Sequence, residues 1–146
     1  MNESIAWILN KRVLPQDTDH AGVMWHGAYL NWLEEARIDA LLKVGISYAD
    51  LSSEGYEMPV VDLRIKYIQS LNHGENVVLK SWMLPRKGVR SQWKTSFLMR
   101  NGECAAEALV VLVLLERIKS NVRVLRTTPD HIAKAFYDLE RGPLLS

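Results

Sequence analysis

Hydrophobic and polar positions change period twice along this chain. Residues 4–14 are rich in Ile, Trp, Leu and Val and predict a strand. A polar, glycine-containing stretch follows, PQDTDHAGVMWHG. From about Gly27, Ala28, Trp32, Leu33, Ala36, Ala40, Leu41 and Val44 recur at steps of three and four, while Asn31, Glu34, Glu35, Asp39 and Lys43 take much of the other side. That spacing predicts a long helix, stopped by Gly45. After a loop through Glu54-Gly55 the period falls to two. Val61, Leu63, Ile65 and Tyr67 alternate with Asp62, Arg64, Lys66 and Ile68, which predicts a half-buried strand. Strands are also expected over 77–84, 89–100 and 105–116, with 122–127 continuing the sheet. Asn72-His73-Gly74, residues 85–88 and Asn101-Gly102 read as turns, and the Asn-Gly pair suits a type I′ hairpin. Thr128-Pro129-Asp130 opens a short final helix, with Thr128 as its cap. Tight connections favour antiparallel pairing. The expected class is α+β: one antiparallel sheet of five or six strands wrapped around one long helix.

Composition narrows the class. Hydrophobic residues make up 48% and charged residues 24%, which predicts a single folded domain over residues 1–146 rather than disorder. Eighteen basic against seventeen acidic residues leave a net charge of +1, which argues against nucleic-acid binding by bulk electrostatics. The lone Cys104 excludes an intrachain disulfide framework. The longest apolar run, Ala108 to Leu115, falls far short of the roughly 18 residues that span a bilayer. The N-terminus lacks the basic and apolar regions of a signal peptide. A cytoplasmic protein without a membrane partner is expected.

The informative chemistry lies between Asp17 and Tyr29, DTDHAGVMWHGAY, where two carboxylates and two imidazoles precede a helix. A helix start carries unpaired N–H groups that can bind an oxyanion or polarise a carbonyl. A carboxylate opposite them can attack that carbonyl or activate water. An EF-hand loop fails, because Ala28 stands where its bidentate glutamate belongs. Asp17, Asp19, His20 and His26 match no known metal-ligand spacing, and no metal is expected. On spacing alone, a polar loop whose aspartates cap turns explains the stretch better than catalysis does.

Residues 13–37, VLPQDTDHAGVMWHGAYLNWLEEAR, resemble the signature of the 4-hydroxybenzoyl-CoA thioesterase group of hotdog-fold enzymes. PVVDLRIKYIQSLNHGENV resembles the strand and turn after that group's helix. The resemblance implies a hotdog fold and hydrolysis of an acyl- or aroyl-CoA thioester to the free acid and CoA. It implies Asp19 as nucleophile or general base, the backbone N–H of His26 as the group polarising the thioester carbonyl, and Gly27 as a second donor. Gly22 matches the glycine that turns the loop close to substrate. Trp25 and Tyr29 are candidates for the acyl pocket, and core packing is an equal reading for Tyr29. Arg86, Lys87, Arg90 and Ser91 resemble the hairpin placed near CoA phosphates, and a solvated hairpin tip is an equal reading there. Relatives place active sites between subunits, which implies a homodimer or homotetramer with residues near Val60 to Asp62 facing Asp19 of another chain. CoA is then part of the substrate, and no other cofactor is implied.

His26-Gly27-Ala28 and Glu35 nearly satisfy a second hotdog pattern, His-Gly-Gly followed by an acidic residue, so Glu35 is a competing carboxylate. Three alternative functions remain: an acyl-carrier-protein thioesterase, a hotdog hydratase or dehydratase, and a non-catalytic binder of acyl thioesters.

Overall fold

The computed structural model describes residues 5–144, so Ser4 of the expected opening strand lies outside the described residues. Five antiparallel strands form the main sheet: β1 (Trp7–Arg12), β3 (Val60–Tyr67), β4 (Asn76–Met83), β5 (Arg90–Met99) and β6 (Cys104–Val113), in the order β1-β4-β5-β6-β3. Helix α1 (His26–Lys43) buries Ala28, Tyr29, Trp32, Leu33, Ala36, Ala40 and Leu41. Its three alanines let the helix axis approach the sheet, where Val77, Leu79, Trp93, Phe97, Ala106 and Val110 join the same core. This is the layout that the hotdog resemblance implies. No helix of the described residues is long and apolar enough to cross a membrane.

The two sides of the sheet's last strand pair differ sharply. β6 is buried on both faces over most of its length, whereas every residue of β3 except Ile65 is exposed. β3 is an edge with one neighbour, and it carries exposed Val60, Val61, Leu63 and Tyr67. At the opposite flank, α3 (Asp130–Arg141) closes on the sheet. The indole Nε1 of Trp7 donates to the Leu139 carbonyl at 2.9 Å, a bond of β1 to α3 inside the core. Ser81 and Thr95, directly paired between β4 and β5, satisfy each other's buried hydroxyls at 2.9 Å.

Several expectations are corrected. The strand expected over 105–116 breaks at Leu114. Pairing of β6 with β3 runs out at Pro59, and the chain turns into β7 (Leu115–Ile118). The stretch expected to continue the main sheet instead forms β8 (Asn121–Val124). With β7 and the two-residue β2 (Tyr56–Glu57) it makes a separate sheet, in the order β2-β7-β8. The expected loop before Gly55 contains α2 (Tyr48–Ser53), capped by Ser47 accepting from the Asp50 N–H at 3.3 Å. Six residues are too few to show a helical period. Asn101-Gly102 is not a type I′ turn. Gly102 alone has positive φ, and its N–H closes onto the Met99 carbonyl at 2.9 Å. Thr128 does not cap α3. Pro129 holds the cap position, and the Thr128 hydroxyl accepts from Arg86 Nη1 at 2.6 Å.

Phe97 is fully buried and its ring tilts against Tyr29, with centroids 5.2 Å apart. Phe97→Ala is expected to destabilise the fold by about 3–5 kcal/mol in denaturant unfolding, through lost burial and a cavity.

Candidate active site

The loop before α1 is a small hairpin docked on a distant turn. Thr18 and Met24 form a β-bridge, and the Asp19 N–H donates to the Val23 carbonyl at 2.8 Å. Gly22 at φ +77° lets the chain reverse there. The Met24 N–H donates to the Leu71 carbonyl at 2.8 Å, and the His73 N–H donates to the Gly22 carbonyl at 3.0 Å. These bonds lay the loop beside residues 67–70, at the end of edge strand β3.

The two aspartates separate by role. Asp17 is buried. Its Oδ2 accepts from the Leu14 N–H at 2.9 Å, and its carbonyl accepts from the Trp25 N–H at 3.1 Å. It builds the loop, as a turn-capping aspartate does. Asp19 is exposed. Its Oδ1 accepts from the N–H groups of Ala21 at 2.9 Å and Val23 at 3.1 Å, which orients the carboxylate. Its second oxygen has no hydrogen-bond partner among the described residues.

Helix α1 starts behind Trp25, which gives no side-chain cap. The first hydrogen-bonded amide of the helix is that of Ala28, donating to the Trp25 carbonyl at 2.9 Å. The N–H groups of His26 and Gly27 have no partner among the described residues. They retain the partial positive character of a helix N-terminus. The Trp25 ring lies over Gly27, and a Cβ built there would run into the indole. Glycine at this position gives the indole its berth.

Asp19, Val23, Met24, Trp25, His26 and Tyr29 line one cavity of about 630 Å³, completed by Tyr67, Ile68, Gln69 and Ser70. The last four were not singled out as site residues from sequence. They are far along the chain, and the bonds of the loop to Leu71 and His73 bring them here. Tyr29 is 3% exposed and meets Tyr67 edge-on, with centroids 5.0 Å apart. Its hydroxyl has no partner among the described residues. Burial, and then the charges of Tyr67 and Glu75, push the Tyr29 pKa above its ordinary value.

The other expected site residues lie elsewhere. Val60 and Asp62 are at the far end of β3, Val60 at a second recess and Asp62 in an exposed pair with Arg64 at 3.6 Å. The 85–90 hairpin joins the far ends of β4 and β5. There Arg86 is turned inward: its guanidinium binds Thr128 and stacks over Phe136, 5.0 Å from the ring centroid. Ser91 is buried, while Lys87 and Arg90 are exposed. Glu35 is ion-paired to Lys11 of β1 at 2.9 Å and does not line the Asp19 cavity. Cys104 is half-buried, with a pKa raised chiefly by burial. The cavity thus joins one oriented carboxylate, Asp19, to His26 at the uncapped helix start, while Gly27 is not among its lining residues.

A family model described as the thioesterase-like superfamily matches residues 13–136. A candidate esterase of Synechocystis is 34% identical over 126 residues, which cover 84% of this chain and 76% of that protein. A candidate acyl-CoA thioesterase of Bacillus subtilis is 30% identical over 92 residues, covering 63% of this chain and 67% of that protein. The structure of a DHNA-CoA thioesterase from Staphylococcus aureus superposes with a TM-score of 0.81 at 30% identity, over 91% of this chain and 89% of that one.

Because Tyr29 binds its proton more tightly folded than unfolded, it contributes stability below its ordinary pKa of 10.0 that is lost as pH rises through the folded value. Tyr29→Phe is expected to flatten the loss of melting temperature above pH 10, measured against the wild type in a pH series.

Proposed function

The chain belongs to the thioesterase-like superfamily, and from that membership we propose an acyl-CoA thioesterase whose reaction centre is the cavity between Asp19 and the start of α1. The observation that carries this reading is the pairing, in one cavity, of an oriented carboxylate with His26, whose helix-start amide has no partner among the described residues and is followed by that of Gly27. The thioester carbonyl accepts hydrogen bonds from the His26 and Gly27 N–H groups, which favour the negative charge that develops on its oxygen. Asp19 either attacks the acyl carbon, giving an anhydride that water then cleaves, or takes a proton from the water that attacks. In both routes the C–S bond breaks and CoA leaves as the thiol. Trp25 and Tyr29 form the wall against which the acyl group lies, and the free Tyr29 hydroxyl offers it a hydrogen bond.

The active unit in this proposal is at least a dimer, built by pairing two β3 edges about a two-fold axis. The Ile68 N–H bonds to Ala105 of β6 at 2.9 Å, so by alternation Leu63, Ile65 and Tyr67 turn their N–H and C=O groups to the free edge, up to the register shift between Val60 and Asp62. Placing the axis at Leu63 pairs Leu63 with its own copy and Val61 with Ile65. It also sets Asp62 opposite Arg64 twice, whereas the next register sets Arg64 against itself. The 85–90 hairpin lies at the Val60 end of the sheet, so this pairing brings Lys87 and Arg90 of the second copy to the same end as the first copy's cavity. Those two exposed cations are the ones proposed to meet the CoA phosphates.

Asp19→Asn is expected to lower thiol release from acyl-CoA by about 10²–10⁴-fold with an unchanged melting temperature. Glu35→Gln is expected to keep turnover; loss in Glu35→Gln together with retention in Asp19→Asn would reverse the assignment. For the dimer, Asp62→Arg is expected to weaken self-association about tenfold in sedimentation, and the double exchange Asp62→Arg with Arg64→Asp to restore it.

A further inference from the structure

Arg37 sits on α1, on the flank that faces edge strand β3. Its side chain is half-buried, yet it makes no hydrogen bond or ion pair among the described residues. Arg12, Arg64, Arg86, Arg117, Arg123 and Arg141 each have such a partner. Arg37 lines a recess of about 230 Å³ with Glu34, Ile38, Tyr48, Pro59 and Val60. Glu34 lies close enough to act on its charge but not within ion-pair distance, and desolvation outweighs that help, lowering the pKa below the usual arginine value. A guanidinium stays charged under such a shift. A half-buried cation without a partner is a cost that an incoming anion removes.

The position of the recess indicates whose anion that is. The recess opens at the Val60 end of β3, and the reaction cavity opens at its Tyr67 end. The antiparallel pairing proposed above lays the Val60 end of one copy against the Tyr67 end of the other. Each recess then faces the other copy's cavity. The cavity itself is lined by Asp19, His26, aromatic and neutral residues and contains no lysine or arginine. One chain alone therefore offers no permanent cation to a charged acyl group.

We propose that Arg37 of one subunit binds an anionic oxygen at the far end of the acyl group held in the other subunit's cavity, which makes the substrate class acyl-CoA with a carboxylated acyl tail. This rests on the thioesterase reading and on the β3 pairing. A carboxylate reaching the recess meets the guanidinium fork with two parallel hydrogen bonds. Glu34 is exposed, so its repulsion is screened by solvent in a way that the recessed attraction is not.

The test compares kcat/KM for matched CoA thioesters: adipoyl against hexanoyl, and 4-carboxybenzoyl against benzoyl. The wild type is expected to favour the carboxylated member of at least one pair. Arg37→Gln should reduce that preference by about tenfold while leaving the neutral twin within about twofold, and Arg37→Lys should recover part of it. Equal effects of Arg37→Gln on both twins, or no preference in the wild type, would overturn the proposal while thioesterase activity stands. No thiol release from any of the four would instead overturn the function on which it rests. Placement in trans is read by refolding Asp19→Asn and Arg37→Gln chains together. Half of the dimers are then mixed, with one complete site each, so activity on the carboxylated substrate should reach about a quarter of wild type. A mixture no more active than its Arg37→Gln share would place Arg37 in its own subunit's site and overturn the proposal.

Discussion

A helix that begins without a side-chain cap must satisfy its first N–H groups from outside itself, and that constraint organises this molecule. The amide of Met24 is taken by Leu71 and that of Trp25 by Asp17, so the first free donors fall at His26 and Gly27. The loop that delivers the chain to this point is closed by Asp19, whose carboxylate is oriented by the same turn that it helps to form. Donors and carboxylate are thus placed by one short set of backbone hydrogen bonds, and the rest of the fold holds those bonds still. Leu71 is fully buried and Met24 nearly so, which anchors the loop in the core rather than on the surface.

Much of this arrangement is legible in the residues. The three- and four-residue spacing from Ala28 to Val44 specifies α1, because one side of that helix must bury against the sheet. The alternation from Val61 to Tyr67 specifies β3, although its exposure shows that the inward side of the pattern still awaits a cover. What could not be read is whatever depends on contacts distant in sequence. Asp17 and Asp19 look alike in the chain, and their roles divide only because the backbone at Leu14 meets one and that at Val23 the other. Tyr67 to Ser70 join the cavity through a bond to Leu71 that no local pattern announces. The second sheet follows from Pro59, which ends one ladder so that β7 begins another. Arg37 reads as an ordinary polar helix residue until the recess around it is seen.

The sheet is also asymmetric in a way that bears on chemistry. Its β1 flank is closed by α3 and by the indole bond of Trp7, while its β3 flank is open and partly apolar. The cavity lies at the open flank. The Asp19 loop and the start of α1 there rest on a well-packed core on one side and on an unpaired edge on the other, so the proposed pairing of β3 edges would bear directly on the cavity.

Arg86 gives this coupling a further reach. Its backbone N–H holds Glu140, its guanidinium holds Thr128 and covers Phe136, and its Nε is enclosed without a partner. Three of these ties end on the C-terminal helix or the turn before it. The tip that displays Lys87 and Arg90 is therefore moored to α3, the last helix among the described residues. Loosening of α3 would slacken a surface loop remote from it in sequence, which makes that helix a mechanical determinant of how firmly the two cations are presented.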